Sequence, residues 1–307
     1  MSARRPGYWR GWRSRLLAPL GDAVLGRFPN SSGLIAHASD FPNARAEAEA
    51  SAAAAQGLGF AVDAGWIERR LVSAALDRHD NFARLIGRSL IRPDRLEVRG
   101  SWPRGVFVAL GLHWGAGFPV LEHLARKDRQ PAFVYLPEQE SDLLSLPARL
   151  YDRLHLRALA GFGNSIRVGG AYQRIVEALA AGRVPVVLFD APATPGANQI
   201  EQVRSGYRVS LRTGVLGLLA EKRVPYVFFR CAHRQAERRR VLEISPPRQS
   251  NAAAQVAEQA ADFLLDALRC DSAQWHLWSA AGQLLDPAPV AGPVDGDYSR
   301  LKREASS

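Results

Sequence analysis

Cysteine, lysine and long apolar runs are all scarce in this chain of 307 residues. Its only cysteines are Cys231 and Cys270, too few for a disulfide framework, so the class of small disulfide-stabilised secreted domains is excluded. No apolar run approaches the ~20 residues that a bilayer-spanning helix needs, and the basic N-terminus lacks the apolar stretch and cleavage site of a signal peptide. We therefore expect a protein of the cytoplasmic side of the cell, either soluble or resting on a membrane.

Several familiar catalytic motifs are also missing. The sequence holds no Gly-x-Ser-x-Gly elbow, which argues against a serine hydrolase, no P-loop and no complete Gly-x-Gly-x-x-Gly fingerprint. The pair Cys231 and His233 has no second pair of ligands nearby in the sequence, so we predict a structural role for it and no metal site. No cofactor is predicted either.

The charge that is present is mostly arginine. Lys and Arg number 40 against 30 Asp and Glu, a net charge of +10, and only three of the bases are lysines. This excess favours anionic partners such as a phospholipid surface or a phosphorylated carrier, although a biased codon pool would explain it as well. The basic residues are spread along the chain without a nucleic-acid-binding motif, so no nucleic-acid partner is expected.

Three regions follow from the residue pattern. Residues 1–94 are predicted as an N-terminal helical region, residues 95–286 as an α/β domain and residues 287–307 as a disordered tail. Within residues 1–28, arginines accompany an apolar stripe formed by Trp9, Trp12, Leu16, Leu20 and Val24. Such a helix is typical of a membrane interface; the alternative is a helix whose stripe packs on the protein body.

Strands alternate with helical patterns in the second region. Strands are predicted at 105–110, 132–135, 184–189 and 225–231, and helices at 118–127, 141–156, 170–182, 211–222 and 251–269. Two further helices precede them, at 44–56 and 63–87. This alternation predicts the α/β class, with a mostly parallel central sheet flanked by helices.

Two polar residues directly follow strong strands, where ligands bind in open α/β sheets. His113 ends the run that begins at Val106, and Asp190 follows the run from Val184. The loop after His113 contains Trp114 and Gly115, and a histidine in such a loop is a reasonable general base. The alternative is a histidine that only caps a helix or bonds a carbonyl.

The segment around His113 resembles the lipid A biosynthesis acyltransferase family, the late lauroyl and myristoyl transferases. An apolar strand leads into His113-Trp114-Gly115, which is similar to the opening of the family's His-x4-Asp/Glu motif. Further similar segments follow in the family's order: Tyr135-Leu-Pro137, Ala178–Asp190, Pro195-Gly196, Arg212-Thr213-Gly214 and Trp275-His-Leu-Trp278. The resemblance covers about residues 95–285 and implies a glycerolipid-acyltransferase-like fold.

The chain departs from the family's pattern at three places. Phe118 stands where the motif has its acid, Leu136 where an arginine precedes the proline, and Ser279-Ala280-Ala281 where the family ends on His-Arg-Arg. A different carboxylate is then expected to orient His113. The candidates are Glu122, one helical turn beyond Phe118, and Asp190 at the neighbouring strand end.

The resemblance implies transfer of a fatty acyl group from an acyl carrier protein or coenzyme A thioester to a hydroxyl or amine of a lipid, glycolipid or pigment precursor. It implies a peripheral location on the cytoplasmic face of the inner membrane, reached through residues 1–28. His113 is predicted as the base, and the predicted substrate-binding residues are Trp114, Gly115, Arg208, Arg212 and Thr213. The alternative is a catalytically degenerate protein of the same fold that binds acyl chains or carriers.

Overall fold

The computed structural model describes residues 43–288, except 93, 116, 136–155, 158, 160, 168–169, 193–196, 235 and 238. The predicted interfacial helix within residues 1–28, most of the helix at 141–156 and the tail beyond residue 288 lie outside the described residues. The helices with described bounds are α1 Ala44–Gly57, α2 Trp66–Leu85, α3 Phe118–Ala125, α4 Ala171–Ala180, α5 Thr213–Lys222, α6 Ala253–Asp271 and α7 Ala281–Leu284.

A seven-stranded sheet forms the centre of the molecule. Its strands are β1 Leu96–Arg99, β2 Val108–Gly111, β3 Pro131–Tyr135, β4 Asn164–Arg167, β5 Val184–Leu188, β8 Tyr226–Arg234 and β9 Arg239–Ile244. They lie in the order β1-β9-β8-β2-β5-β3-β4, and every neighbouring pair is parallel except β8 and β9. The predicted α/β class with a mostly parallel sheet is therefore confirmed.

A second sheet of three strands lies beside the first. It contains β6 Gln199–Arg204, β7 Tyr207–Arg212 and β10 Leu285–Pro287, all antiparallel, in the order β10-β7-β6. Because β10 pairs with β7, the polypeptide stays in regular structure up to residue 287.

The helical region before the sheet is built on small residues. Ala44, Ala48, Ala52 and Ala55 recur at spacings of three and four along α1 and are buried. Small side chains on one face of a helix let a neighbouring helix approach closely, and α1 shares a buried cluster with Leu71, Val72, Ala75 and Leu76 of α2. The predicted N-terminal helices at 44–56 and 63–87 are confirmed in this part.

The placement of β2 and β5 determines where the polar residues at strand ends meet. β2 and β5 are adjacent and parallel, with Gly111 opposite Leu188. Both strands are apolar runs without charge, as expected for strands covered on both faces of a sheet. Since parallel strands end at the same edge, the residues that follow β2 and β5 lie side by side.

Candidate active site

His113 and Asp190 form a hydrogen-bonded pair at the carboxyl ends of β2 and β5. Nδ1 of His113 lies 2.7 Å from Oδ1 of Asp190. The backbone N–H of His113 also donates to this carboxylate, at 2.9 Å from Oδ2 and 3.1 Å from Oδ1. Because Nδ1 carries the proton toward Asp190, Nε2 is the ring nitrogen that remains for a ligand.

The Asp190 carboxylate is fully buried, with 0% of its side chain exposed. A buried carboxylate has to be satisfied by donors. Besides the two donors of His113, Asp190 accepts a hydrogen bond from the indole Nε1–H of Trp275 at 2.8 Å. The side chain of His113, by contrast, is 32% exposed and lines a cavity.

The segment Gln274–His276 binds the backbone of the His113 loop. The N–H of Gly115 donates to the carbonyl of Gln274 at 2.9 Å, and the N–H of His276 donates to the carbonyl of His113 at 2.9 Å. The Gln274 side chain also holds β8, since its Oε1 accepts from the N–H of His233 at 2.7 Å. The histidine is thus fixed between two neighbouring strands and a segment far along the chain.

His276 supports this loop as a neutral imidazole. Its Nε2–H donates to the carbonyl of Gly115 at 2.6 Å, while its Nδ1 lies 3.2 Å from the guanidinium of Arg70 and accepts a hydrogen bond from it. Burial lowers the pKa of His276 to about 3, and the positive charge of Arg70 adds to the effect. His276 therefore stays uncharged at neutral pH.

Gly115 is required by the close approach of β8. Its φ is +57°, and a Cβ at this position would lie 2.3 Å from the carbonyl oxygen of Cys231. No side chain fits there without displacing backbone. The close neighbour of Gly115 is therefore the protein's own strand β8.

The pKa of His113 is raised above its usual value of 6.5. Burial alone would lower it, because burial disfavours the charged imidazolium. The charge of Asp190 and the hydrogen bond to it act in the opposite direction and prevail, with a further contribution from Asp77. The pair thus stabilises the imidazolium that forms when His113 accepts a proton.

The cavity in front of His113 has a volume of about 860 Å³, within the range of small-molecule sites. Its walls come from the ends of β2, β3 and β5 and from α3, α4 and α5. Most of the lining is apolar, as in Val120, Leu121, Phe133, Ile175, Val186 and Leu218. A long apolar chain would therefore fit the space beside the imidazole.

Four of the predicted substrate-binding residues line this cavity. Trp114 and Gly115 do so beside His113, and Arg212 and Thr213 do so at the start of α5. The guanidinium of Arg212 donates to the carbonyl of Pro192, and burial lowers its pKa. Arg212 forms no ion pair within the described part of the chain, so its charge is open to an anionic group.

The fifth, Arg208, lies elsewhere. It is on the β6–β7 hairpin, with its guanidinium 3.8 Å from the Glu201 carboxylate, and is not among the described residues that line the cavity. Its neighbour on the hairpin, Arg204, binds Asp262 through two hydrogen bonds of 2.8 Å and also pairs with Glu258. Arg204 and Arg208 thus both lie beside acidic side chains, away from the cavity.

Glu122 is likewise not the partner of His113. One of its oxygens accepts from the hydroxyl of Ser89 at 2.6 Å and from Arg126 at 2.8 Å, and the other accepts from the N–H of Leu90 at 2.7 Å. Glu122 thus holds the connection between α2 and β1. Of the two carboxylates considered from the sequence, only Asp190 contacts the imidazole.

Three residues of the site were not predicted from the sequence. Trp275 and His276 belong to the Trp275–Trp278 segment, whose resemblance to the family was noticed without a role for either side chain. Asp77 of α2 also lines the cavity. The signal that could have found it is an aspartate in the middle of a helix, directly after the largely apolar stretch Leu71–Leu76.

Within the described ranges, no cluster of three or more metal-ligating side chains is arranged to hold a metal ion. Over the same residues, no helix combines the length and apolarity that crossing a bilayer requires. No protein-family model and no curated protein matches this chain.

Proposed function

We propose that this protein is an acyltransferase that moves a fatty acyl group from a thioester to a hydroxyl or amine, with His113 as the general base and Asp190 as the residue that orients it. The observation that carries the proposal is the 2.7 Å bond from Nδ1 of His113 to a fully buried carboxylate, at the wall of a largely apolar cavity. This is the arrangement that a base needs when its proton donor is a weak nucleophile.

The chemistry follows from the tautomer. Asp190 fixes the proton on Nδ1, so the lone pair of Nε2 can accept the proton of the attacking hydroxyl or amine. The imidazolium then formed is stabilised by Asp190 and returns its proton to the departing thiolate. In the family's motif the acid stands at the position of Phe118. Asp190, which follows a neighbouring strand, takes over the role of that acid in this proposal.

The cavity supplies two features that suit an acyl thioester. Its apolar walls accept the fatty chain, since burial of each methylene contributes about 0.8 kcal/mol. Arg212, beside Thr213 at the start of α5, offers a charge for an anionic part of the donor. The family resemblance supports four further parts of the proposal. The fold is glycerolipid-acyltransferase-like, and the donor is an acyl carrier protein or coenzyme A thioester. The acceptor is a lipid, glycolipid or pigment precursor, and the location is the cytoplasmic face of the inner membrane.

The test uses the full chain with dodecanoyl thioesters of coenzyme A and of acyl carrier protein. We expect the wild type to release free thiol from one of them, and His113→Ala to lose this activity by about 10²- to 10⁴-fold. Mass spectrometry of lipid and pigment extracts should show acylated species that disappear when the cell carries His113→Ala. If His113→Ala retains full thiol release, the histidine has no part in the reaction.

If neither thioester is consumed while a dodecanoyl group still binds, the protein is a binding module of the same fold. Circular dichroism of His113→Ala provides the control for folding, because a partly exposed histidine can be truncated without opening the core.

A further inference from the structure

Asp77 of α2 lines the same cavity as His113 and has no partner among the residues that the structure describes. The residue is half-buried and lines the cavity. Within the described part of the chain its carboxyl group makes no hydrogen bond and no ion pair. Buried and half-buried charges in proteins are ordinarily paired, so this carboxyl is available to a group of the ligand.

The residues one turn to either side of Asp77 share this property. Ser73 and Asn81 are 1% and 0% exposed, yet the hydroxyl oxygen of Ser73 and both amide atoms of Asn81 have no hydrogen-bond partner among the described residues. At spacings of four residues the three side chains lie on one face of α2. Unsatisfied buried polar groups are rare in native proteins, and they mark this face of α2 as unusually polar. Asp77 is the residue of the three that lines the cavity and that a ligand can reach.

The environment of Asp77 favours proton transfer near neutral pH. Burial raises the pKa of Asp77 to about 7, and the nearby Asp80 acts in the same direction, while Arg78, His113 and Arg240 oppose it. A carboxyl group with this affinity for protons is a better base than an exposed aspartate.

The two acceptor classes differ in the number of protons that must leave. A hydroxyl loses one proton on acylation, and a single base suffices. A primary amine enters as an ammonium ion and must lose two protons before it becomes an amide, so two bases in one cavity match an amine.

On the premise of the proposed acyl transfer, we propose that the acceptor is a primary amine, whose ammonium group binds Asp77 and gives up its first proton there, while His113 takes the second. The Asp77 carboxylate becomes a carboxylic acid and later releases its proton to solvent. The neutral amine attacks the thioester carbonyl and the new C–N bond forms. Nε2 of His113 accepts the second proton, the C–S bond breaks, and the amide keeps the third N–H. The thiolate leaves with the proton from His113, so one thioester and one ammonium give one amide, one thiol and one proton.

The experiment compares hexylamine with hexan-1-ol, two acceptors of matched length, using the dodecanoyl thioester that the full chain consumes. We expect the wild type to form amide at least about ten times faster than ester. Asp77→Asn should lower amide formation by about 10- to 100-fold, because it removes a charged contact to the ammonium. Ester formation and thioester hydrolysis should fall much less, because they lose only the contribution of Asp77 to the pKa of His113. Asp266→Asn, a substitution of an aspartate that is 72% exposed, is the matched control and should change none of the three rates.

Three results would overturn the inference: a preference for the alcohol, an unchanged amide rate in Asp77→Asn, or an equal loss of all three rates. His113→Ala separates this inference from the proposed function, since it should abolish every reaction. If the protein shows no turnover with either acceptor, calorimetry of hexylamine binding still tests the ammonium site. Weaker binding to Asp77→Asn would then support the ammonium site while the acyl transfer itself fails, and no binding to the wild type would reject the site.

Discussion

The indole of Trp275 donates its Nε1–H to the carboxylate of Asp190, 2.8 Å away, and Asp190 in turn holds His113. Trp275 is fully buried and packs edge to face on Trp278. The chain segment that carries Trp275 therefore fixes the carboxylate as well as the backbone of the His113 loop. The orientation of the base depends on a residue that does not line the described cavity.

Replacing Trp275 by Phe should weaken both stability and activity. The variant keeps an aromatic ring but leaves one oxygen of a buried carboxylate with one donor fewer, which costs about 1–3 kcal/mol in the free energy of unfolding. Thiol release should fall because Asp190 no longer holds a single orientation. Trp278→Phe is the control: its indole donates to the carbonyl of Ser272 and not to Asp190, so it should lose stability without a matching loss of turnover per folded molecule. Equal turnover in the two variants would contradict this account.

Replacing Asp190 by Asn should change the pH profile as well as the rate. Asp190 keeps the pKa of His113 raised, and without its charge only the smaller contribution of Asp77 opposes the effect of burial, so the pKa falls. The acidic limb of the profile then moves to lower pH, while the maximal rate drops by about 10²- to 10⁴-fold because an amide neither fixes the proton on Nδ1 nor offsets the charge of the imidazolium. Glu122→Gln, which alters a carboxylate that does not touch His113, should leave the position of this limb unchanged. If the acidic limb of Asp190→Asn lies at the same pH as that of the wild type, Asp190 does not influence the pKa of His113.

Replacing Gly115 by Ala should disrupt the site through the backbone. The added Cβ would lie 2.3 Å from the carbonyl oxygen of Cys231, at a φ of +57° that side chains rarely adopt. We expect a loss of at least about 2 kcal/mol in unfolding free energy and a loss of thiol release, measured by urea titration and by the thioester assay. Gly117→Ala is the matched control two residues away, where an added Cβ meets nothing within 4 Å and φ is −75°. Similar behaviour of the two alanine variants would show that the loop adapts.

Replacing His276 by Gln should make stability less sensitive to acid. The folded-state pKa of about 3 lies below the unfolded value of 6.5, so the neutral imidazole contributes its full stability above pH 6.5 and loses it as the pH falls toward 3. In that window the unfolding free energy of the wild type should carry a contribution from His276 of about 1.4 kcal/mol per pH unit. The glutamine variant lacks this contribution, so its slope should be smaller by that amount, whatever its absolute stability.

Urea titrations at pH 6.5, 5.5 and 4.5 measure the two slopes. His233 and Asp77 also titrate abnormally, but they are present in both proteins and cancel in the comparison. Parallel curves would mean that His276 is not held neutral by the fold.

The elements with uniform patterns could be predicted from the sequence. The strand Val184–Leu188 and the helix Ala253–Asp271 lie within a few residues of their predicted bounds. The short apolar run indicated a buried strand, and the helical stripe of apolar residues indicated an amphipathic helix. Those elements placed His113 and Asp190 at neighbouring strand ends. The hairpin β6–β7 was missed, although the alternation of apolar and polar residues in Tyr207–Arg212 is the pattern of a half-buried strand.

The contacts within the site were harder to predict for a physical reason. Helical spacing placed Glu122 near Phe118 but gave no information on the Ser89–Leu90 segment that binds it. The contact between Trp275 and Asp190 joins residues 85 positions apart, and no local periodicity encodes such a pair. The role of Gly115 depends on a strand whose approach only the three-dimensional packing sets.

The backbone of Gly115 and of His113 is hydrogen-bonded to Gln274 and His276, far later in the chain. During synthesis the loop that carries His113 therefore cannot reach its final shape until the ribosome has added the segment Gln274–His276. A fragment that ends before Gln274 would contain both His113 and Asp190, yet we expect their orientation in it to differ from that in the full chain.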